Sequence, residues 1–150
     1  MSENNTRKKA LSNLKEVWHK IDNLYSLYAK KMGLNLASLL VLQLLYDAAP
    51  AKNYTQKELC EKLALPKQFI SYIMKSFWQQ GFVEMREGKD RRNKDIIFTP
   101  LGKEFAKRVL KPLEDAELAV WNCFTDKEVL NIAETMEKFA KSFEDVLKNN

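Results

Sequence analysis

The chain has few of the residues that most enzymes use for metal binding and covalent chemistry. It contains one histidine, His19, and two cysteines, Cys60 and Cys123, which lie far apart and outside any metal-type spacing. Only four glycines are present, and they form no phosphate-binding loop. Without a nucleophile, a base and an orienting group in a recognisable pattern, we expect a protein that is not an enzyme and needs no cofactor or metal.

Long apolar runs are also missing. The longest, residues 36–46, is about half of the ~20 residues that a bilayer requires, and Ser38 and Gln43 interrupt it. The first residues lack the charged and then apolar signature of a signal peptide. We therefore expect a cytoplasmic protein with no membrane partner, in which residues 36–46 belong to a core helix.

Charge is distributed unevenly along the chain. The net charge is +5, and the 150 residues suit a single domain. Residues 51–100 hold ten basic and six acidic side chains, whereas residues 101–150 hold eight basic and ten acidic ones. A small positive excess alone fits an ordinary solvated surface equally well. A basic middle segment favours a polyanionic partner where it coincides with a suitable motif.

The segment after residue 54 has the pattern of two short helices joined by a turn. Thr55 and Glu58 predict a capping box, in which each side chain accepts a hydrogen bond from the other residue's backbone N–H. Pro66 suits the first position of the second helix, and Gly81 suits its end because glycine adopts the left-handed conformation without a Cβ clash. Spacings of three and four predict an inward face of the second helix that comprises Phe69, Ile70, Ile73, Met74 and Phe77.

A hairpin with a basic tip is predicted after Gly81. Apolar residues recur at every second position in segments 83–86 and 96–99, which is the period expected for β-strands. Segment 87–94 between them is too charged to be buried. The sequence therefore predicts a winged helix-turn-helix, mainly α with a small β-hairpin wing, flanked by N- and C-terminal helices.

A set of residues through this segment carries a family resemblance: Thr55, Glu58, Leu59, Leu63, Ser71, residues 77–83, residues 90–92, Thr99 and Gly102. Together with the chain length and the flanking helices, they resemble the multiple-antibiotic-resistance regulator (MarR) family of bacterial transcription factors. The chain departs from the family where a serine cap, an arginine and a threonine are common, because it has Pro66, Tyr72 and Phe69 there. The base preference of the family is therefore not transferred to this chain.

The resemblance implies a sequence-specific DNA-binding regulator, more often a repressor, that acts as a homodimer on a palindromic operator. In the major groove, Gln68 can bind adenine bidentately and Ser71 can serve several bases. Lys67 and Lys75 can meet phosphates or guanine, and Tyr72 a phosphate or a thymine methyl group. The predicted DNA-binding residues are Thr55, Pro66, Lys67, Gln68, Ser71, Tyr72, Lys75, Lys89, Arg91 and Arg92.

The hairpin tip has arginines that suit a minor groove. The guanidinium groups of Arg91 and Arg92 are slim enough for a narrow A·T-rich groove, where the negative potential is deep. Asp90 is expected to orient an arginine, since a carboxylate beside phosphates is repelled. By resemblance, one arginine pairs with Asp90 while the other reaches the groove, and either assignment is open.

The flanking segments predict helices with apolar stripes. A first helix is expected over about residues 7–31, a second over about 36–48, a fifth opened by Thr99 and Pro100 and kinked at Pro112, and a sixth that starts at Thr125. The stripes either fold back on their own domain or are buried between two chains, and we expect a two-fold dimer. The predicted organisation is one domain over residues 1–150, with dimerisation helices mainly in 1–49 and 101–150 and the winged helix-turn-helix in 50–100.

A small effector and a rival function complete the expectations. By resemblance, a small aromatic acid or phenol is held between the dimer arms and the DNA-binding unit. Candidate pocket residues on the first helix are Trp18, His19, Tyr25 and Tyr28, for which a core or dimer-seam role is the alternative. The rival function is a winged-helix protein-interaction module without DNA binding. It is disfavoured because lysine, abundant here, is depleted at protein interface cores.

Overall fold

The described part of the chain folds into six α-helices and one three-stranded antiparallel sheet. The computed structural model describes residues 2–149, with side chains from residue 5. The predicted fold class is confirmed. In chain order the elements are α1 (Ser2–Lys31), α2 (Leu36–Ala48), β1 (Tyr54–Thr55), α3 (Gln56–Leu63), α4 (Lys67–Gln79), β2 (Val83–Glu87), β3 (Lys94–Phe98), α5 (Pro100–Trp121) and α6 (Asp126–Lys148).

Helix α2 forms the middle of the core, as its apolar composition predicts. Leu39, Val41 and Leu42 are at most 1% exposed, and α2 packs against α1 and α3. It starts and ends where the sequence predicts, but its N-cap was not predicted: the Asn35 side chain accepts from the Ser38 backbone N–H at 2.8 Å. Within residues 2–149, no helix combines the length and apolar character needed to cross a membrane.

The sheet has one strand more than the predicted hairpin. β2 and β3 pair antiparallel from Val83↔Phe98 to Glu87↔Lys94, which confirms the wing. The added strand, β1, contributes only Tyr54 and Thr55 and pairs with β3, so the strand order is β1-β3-β2. A two-residue strand is too short to show a period of two, which is why the sequence does not predict it.

A glycine-dependent junction connects α4, the wing and α5. Gly81 has a φ of +74°, and the Phe82 backbone N–H beyond it bonds to the Phe77 carbonyl at 2.9 Å. Thr99 then bonds back to this turn, through its hydroxyl to the Gly81 carbonyl and through its N–H to the Phe82 carbonyl at 3.0 Å. The Thr99 hydroxyl also accepts from Gly102 N–H at 3.0 Å, so it caps α5 as predicted. The end of the wing is therefore hydrogen-bonded to the turn that follows α4.

Contacts divide the chain into two compact units, Met1–Val109 and Leu110–Asn150. The first contains the sheet, α1 to α4 and the beginning of α5. In the second, the predicted capping box of α6 is present, with the Thr125 hydroxyl 3.3 Å from the Glu128 backbone nitrogen. The predicted single domain with its three segments stays a prediction.

The apolar side chains of α6 are exposed. Its predicted stripe includes Ile132, Met136, Phe139, Phe143 and Val146, which are 39–55% exposed. Helix α1 has a comparable set near its beginning, including Leu11, Leu14 and Ile21 at 38–49%. Exposed apolar stripes of this kind are typical of surfaces that another chain covers.

Candidate nucleic-acid interface

Helix α3 is fixed by the predicted capping box. The Thr55 hydroxyl accepts from the Glu58 backbone N–H at 3.2 Å, and the Glu58 carboxylate accepts from the Thr55 N–H at 2.9 Å. The hydrogen bond from the Thr55 backbone lowers the pKa of Glu58, and an ion pair with Lys52, 3.1 Å from Nζ to Oε1, lowers it further. Thr55 was predicted to bind DNA. Its half-buried hydroxyl caps α3. Thr55 therefore has a structural role, and its contact with DNA stays a prediction.

The turn between α3 and α4 comprises residues 64–66, a length typical of a helix-turn-helix. Ala64 adopts a left-handed conformation with a φ of +50°, and α4 begins at Lys67. Pro66 lies one position earlier than predicted, at the N-cap, where its carbonyl accepts from Phe69 N–H at 3.0 Å. Proline is tolerated at this position because no backbone N–H is needed from it there, although its side chain provides no capping hydrogen bond.

Helix α4 presents a polar face to solvent. Lys67, Gln68, Tyr72 and Lys75 are exposed, whereas Ile70, Ile73, Met74 and Phe77 are buried. Ser71 differs from its neighbours because it is half-buried and its hydroxyl donates to Gln56 Oε1 at 3.2 Å. The Ser71 proton thus ties α4 to α3, and only its lone pairs remain for another partner.

Phe69 was predicted to face inward, and the structure shows that this is wrong. Its side chain is 59% exposed, against 1% for Phe77 on the same helix. At 3.6 residues per turn, Phe69 lies at the edge of the stripe whose centre is defined by Ile70, Ile73 and Phe77. A spacing of three or four from one member of a stripe does not distinguish its centre from its edge.

The wing tip is organised by Asp90, although not as expected. Its carboxylate accepts from the Arg92 backbone N–H at 3.0 Å and from Asn93 Nδ2 at 2.7 Å. These two hydrogen bonds, the backbone one first, hold the pKa of Asp90 below its usual value, and the charge of Lys57 acts in the same direction. The expected pairing of Asp90 with an arginine side chain is corrected: within residues 5–149 its partners are a backbone N–H and an amide.

This turn leaves the cationic side chains of the tip in solvent. Lys89, Arg91 and Arg92 are all exposed. Because Asp90 bonds to the backbone rather than to a guanidinium group, neither arginine is neutralised by it through a close contact. Both remain available to a polyanion.

A cleft of about 550 Å³ brings α3, the start of α4 and the wing together. It is lined by four basic side chains, Lys57, Lys67, Arg92 and Lys94, together with the acidic Glu61, polar residues and the apolar Met85. The structure thus places the predicted Lys67 and Arg92 at one cleft. Lys57 was not predicted for the site, and no local spacing could have shown it, since it reaches the wing only through the fold.

The two cysteines differ in their surroundings. Cys60 is half-buried and lines the same cleft. Cys123, in the other unit, is exposed.

The four aromatic residues of α1 do not share one environment. The Tyr28 hydroxyl donates to the Val109 carbonyl at 2.6 Å, and burial raises the pKa of Tyr28. Trp18 and Tyr25 are half-buried, and His19 is exposed. A second cleft of about 570 Å³ lies between α2, β3 and α5, lined by Tyr46, Phe98 and others, and none of the four α1 residues lines it. Their role in a ligand pocket stays a prediction.

These elements define a winged helix-turn-helix protein whose α4 and wing tip expose adjacent basic surfaces. Residues 32–93 match the family model described as MarR family. A MarR family regulator from Neisseria meningitidis has a similar structure, with a TM-score of 0.77 and 28% identity over 94% of this chain and 98% of that one. These matches confirm the resemblance to the MarR family of transcription regulators that is predicted from the sequence.

More distant structures share the fold. A MarR transcriptional regulator from Methanosarcina mazei Go1 has a TM-score of 0.67 and 18% identity, over 95% of this chain and 99% of that one. The MepR protein of Staphylococcus aureus, solved as a complex with DNA, has a TM-score of 0.71 and 14% identity, over 88% of this chain and 96% of that one. The chain matches no curated protein sequence.

Proposed function

We propose that this protein is a cytoplasmic, sequence-specific DNA-binding regulator that acts as a homodimer and represses transcription. The observation that carries the proposal is the exposed polar face of α4 beside a wing tip with two exposed arginines. In a helix-turn-helix the second helix enters the major groove, and an adjoining basic loop can follow the backbone into the minor groove. The solved complex of MepR with DNA, which shares this fold, supports the proposal.

The wing and α4 have different tasks in this mechanism. Gln68 and Ser71 contact base edges, while Lys67 and Lys75 contact phosphates. Arg91 or Arg92 occupies the minor groove, held at the tip by the turn that Asp90 stabilises. Lys57 and Lys94 add positive potential between the two contact regions.

Dimerisation is supported by the exposed apolar side chains of α1 and α6. Each stripe, described above, costs free energy in water, and covering it gains about 25 cal/mol per Å² of apolar area. Two copies on a two-fold axis would bind a palindrome with half-sites about one helical turn apart and so block polymerase. Light scattering coupled to gel filtration tests this, and a monomer at micromolar concentration would contradict it.

The decisive experiment is fluorescence anisotropy of labelled DNA in a salt series. A fragment from upstream of the protein's own gene is compared with a scrambled fragment, and a selection over random DNA supplies an operator if neither is bound tightly. Discriminating binding that weakens steeply with salt supports the proposal. Weak and equal binding to all DNA, including the selected pool, would instead favour a winged-helix protein-interaction module.

We further propose that a small aromatic ligand releases the protein from DNA. Such a ligand must bind more tightly to a dimer whose α4 helices are wrongly spaced for DNA than to the DNA-binding dimer. A ligand with equal affinity for the two conformations would not shift the equilibrium between them. The aromatic side chains of α1 and the cleft lined by Tyr46 and Phe98 are the two candidate locations. Titration calorimetry with aromatic acids tests the proposal, with Tyr28→Phe and Tyr46→Ala to separate the locations, and no heat with any acid counts against it.

A further inference from the structure

Two exposed aromatic residues lie three positions apart near the beginning of α4. Phe69 is 59% exposed and Tyr72 is 72% exposed. They are three residues apart, so their Cβ atoms lie about 5–6 Å from each other on the helix surface. Both belong to the first two turns of α4, and the N-terminal residues of a recognition helix are the ones that reach base edges.

A phenyl ring restricts the possible contacts of this surface. Phe69 has no hydrogen-bond donor or acceptor, so it cannot replace a water molecule on a phosphate or on a polar base edge. The one apolar group that B-DNA presents in the major groove is the C5-methyl group of thymine. An exposed phenyl group on a groove-facing helix therefore gains the most apolar contact where such a methyl group meets it.

We propose that Phe69, with the ring of Tyr72 beside it, recognises thymine methyl groups in the operator. This inference rests on the proposed DNA-binding function and specifies the bases that the function requires. Successive bases of one strand are about 3.4 Å apart along the axis, so two side chains whose Cβ atoms are about 5–6 Å apart can span one or two base steps. The operator should have thymine at one or two adjacent positions under these rings, next to the adenine that Gln68 can bind.

Deoxyuridine provides a direct test because it differs from thymine only by the missing methyl group. Operator duplexes obtained by selection are prepared with thymine or deoxyuridine at each position in turn, and affinities are compared by anisotropy. For the wild-type protein, we expect deoxyuridine at a contacted position to lower the affinity about four-fold, which corresponds to about 0.8 kcal/mol for one buried methyl or methylene group. Positions outside the contact should show no loss.

Protein variants identify the ring that meets the methyl group. In Phe69→Ala, the deoxyuridine loss should shrink towards one-fold at the contacted position, while discrimination against scrambled DNA persists. Gln68→Ala is the matched control on the same helix face and should keep the deoxyuridine loss. Tyr72→Phe retains the ring and should also keep it. Because these side chains are exposed, the urea midpoints of the variants should match that of the wild type.

The outcomes separate this inference from the function on which it rests. An equal deoxyuridine loss in the wild type and in Phe69→Ala overturns the inference and leaves DNA binding intact. A wild-type protein that binds its operator specifically but ignores every methyl group does the same. If no DNA is bound specifically, the proposed function fails and the inference falls with it.

Discussion

Replacing Gly102 by alanine brings two effects of opposite sign into competition. Gly102 lies in the first turn of α5, where alanine is favoured over glycine by about 1 kcal/mol. A Cβ atom at this position would lie 1.8 Å from the carbonyl oxygen of Phe82 and 2.7 Å from its carbonyl carbon. The obstructing atoms belong to the backbone, so no side-chain rotation relieves the clash and α5 must move away from the end of α4.

The structure allows the size of this penalty to be worked out. Overpacking costs about 1–3 kcal/mol. The movement also weakens the 3.0 Å hydrogen bond from Thr99 N–H to the Phe82 carbonyl, worth about 1 kcal/mol. After subtraction of the gain in helix propensity, we expect Gly102→Ala to lower the free energy of unfolding by about 1–3 kcal/mol.

Urea unfolding followed by far-UV circular dichroism, at one fixed protein concentration, measures this change. Ser142→Ala at an exposed position of α6 is the matched control, because it adds helix propensity without a clash and should stabilise by about 0.5 kcal/mol. A Gly102→Ala protein that is as stable as the wild type, or more stable, would refute the close approach of α5 to Phe82 and with it our account of how the wing is anchored.

Three further predictions concern the DNA-binding unit. Arg92→Ala should weaken operator binding by about 1–3 kcal/mol and reduce the slope of log affinity against log salt concentration by about one unit. Lys127→Ala on α6 is the control and should change neither quantity. An unaltered slope in Arg92→Ala would remove Arg92 from the site. Thr55→Ala should cost about 1 kcal/mol of stability in urea, and Thr55→Ser should restore it, because serine also caps helices; a loss with both would contradict a capping role. The hydrogen bonds to the Asp90 carboxylate lower its pKa, so they stabilise the wing turn fully at any pH above the ordinary carboxyl pKa of about 4. This stabilisation is lost as the pH falls through the lowered pKa of Asp90. An NMR titration in which the Asp90 carboxyl has an ordinary or raised pKa would contradict it.

The features that could be predicted from the sequence are those that act between near neighbours. The capping boxes at Thr55 and Thr125 and the left-handed Gly81 each depend on residues within one helical turn, so a short stretch of sequence contains the whole cause. The alternation in β2 and β3 is equally local. These elements together were enough to indicate the winged helix-turn-helix and its resemblance to the MarR family.

The features that were not predicted depend on contacts between distant residues. Ser71 bonds to Gln56, 15 positions away, and Tyr28 to Val109, 81 positions away. Neither partner can be inferred from spacing, because the fold alone brings them together. The carboxylate of Asp90 is an intermediate case, since its partners are local but a backbone N–H competes with two guanidinium groups, and turn geometry decides in favour of the backbone.

The incorrect assignment of Phe69 has a physical reason that also explains why it is informative. Hydrophobic periodicity treats every large apolar side chain on one side of a helix as core, and this holds where the only alternative to burial is water. On a helix that enters a groove, a side chain can also contact another molecule, besides the protein core and water. An apolar side chain that makes such a contact is still counted as core by the periodicity. The disagreement between the pattern and the 59% exposure of Phe69 is therefore expected where a surface serves binding rather than stability. The deoxyuridine experiment decides whether that surface recognises a methyl group.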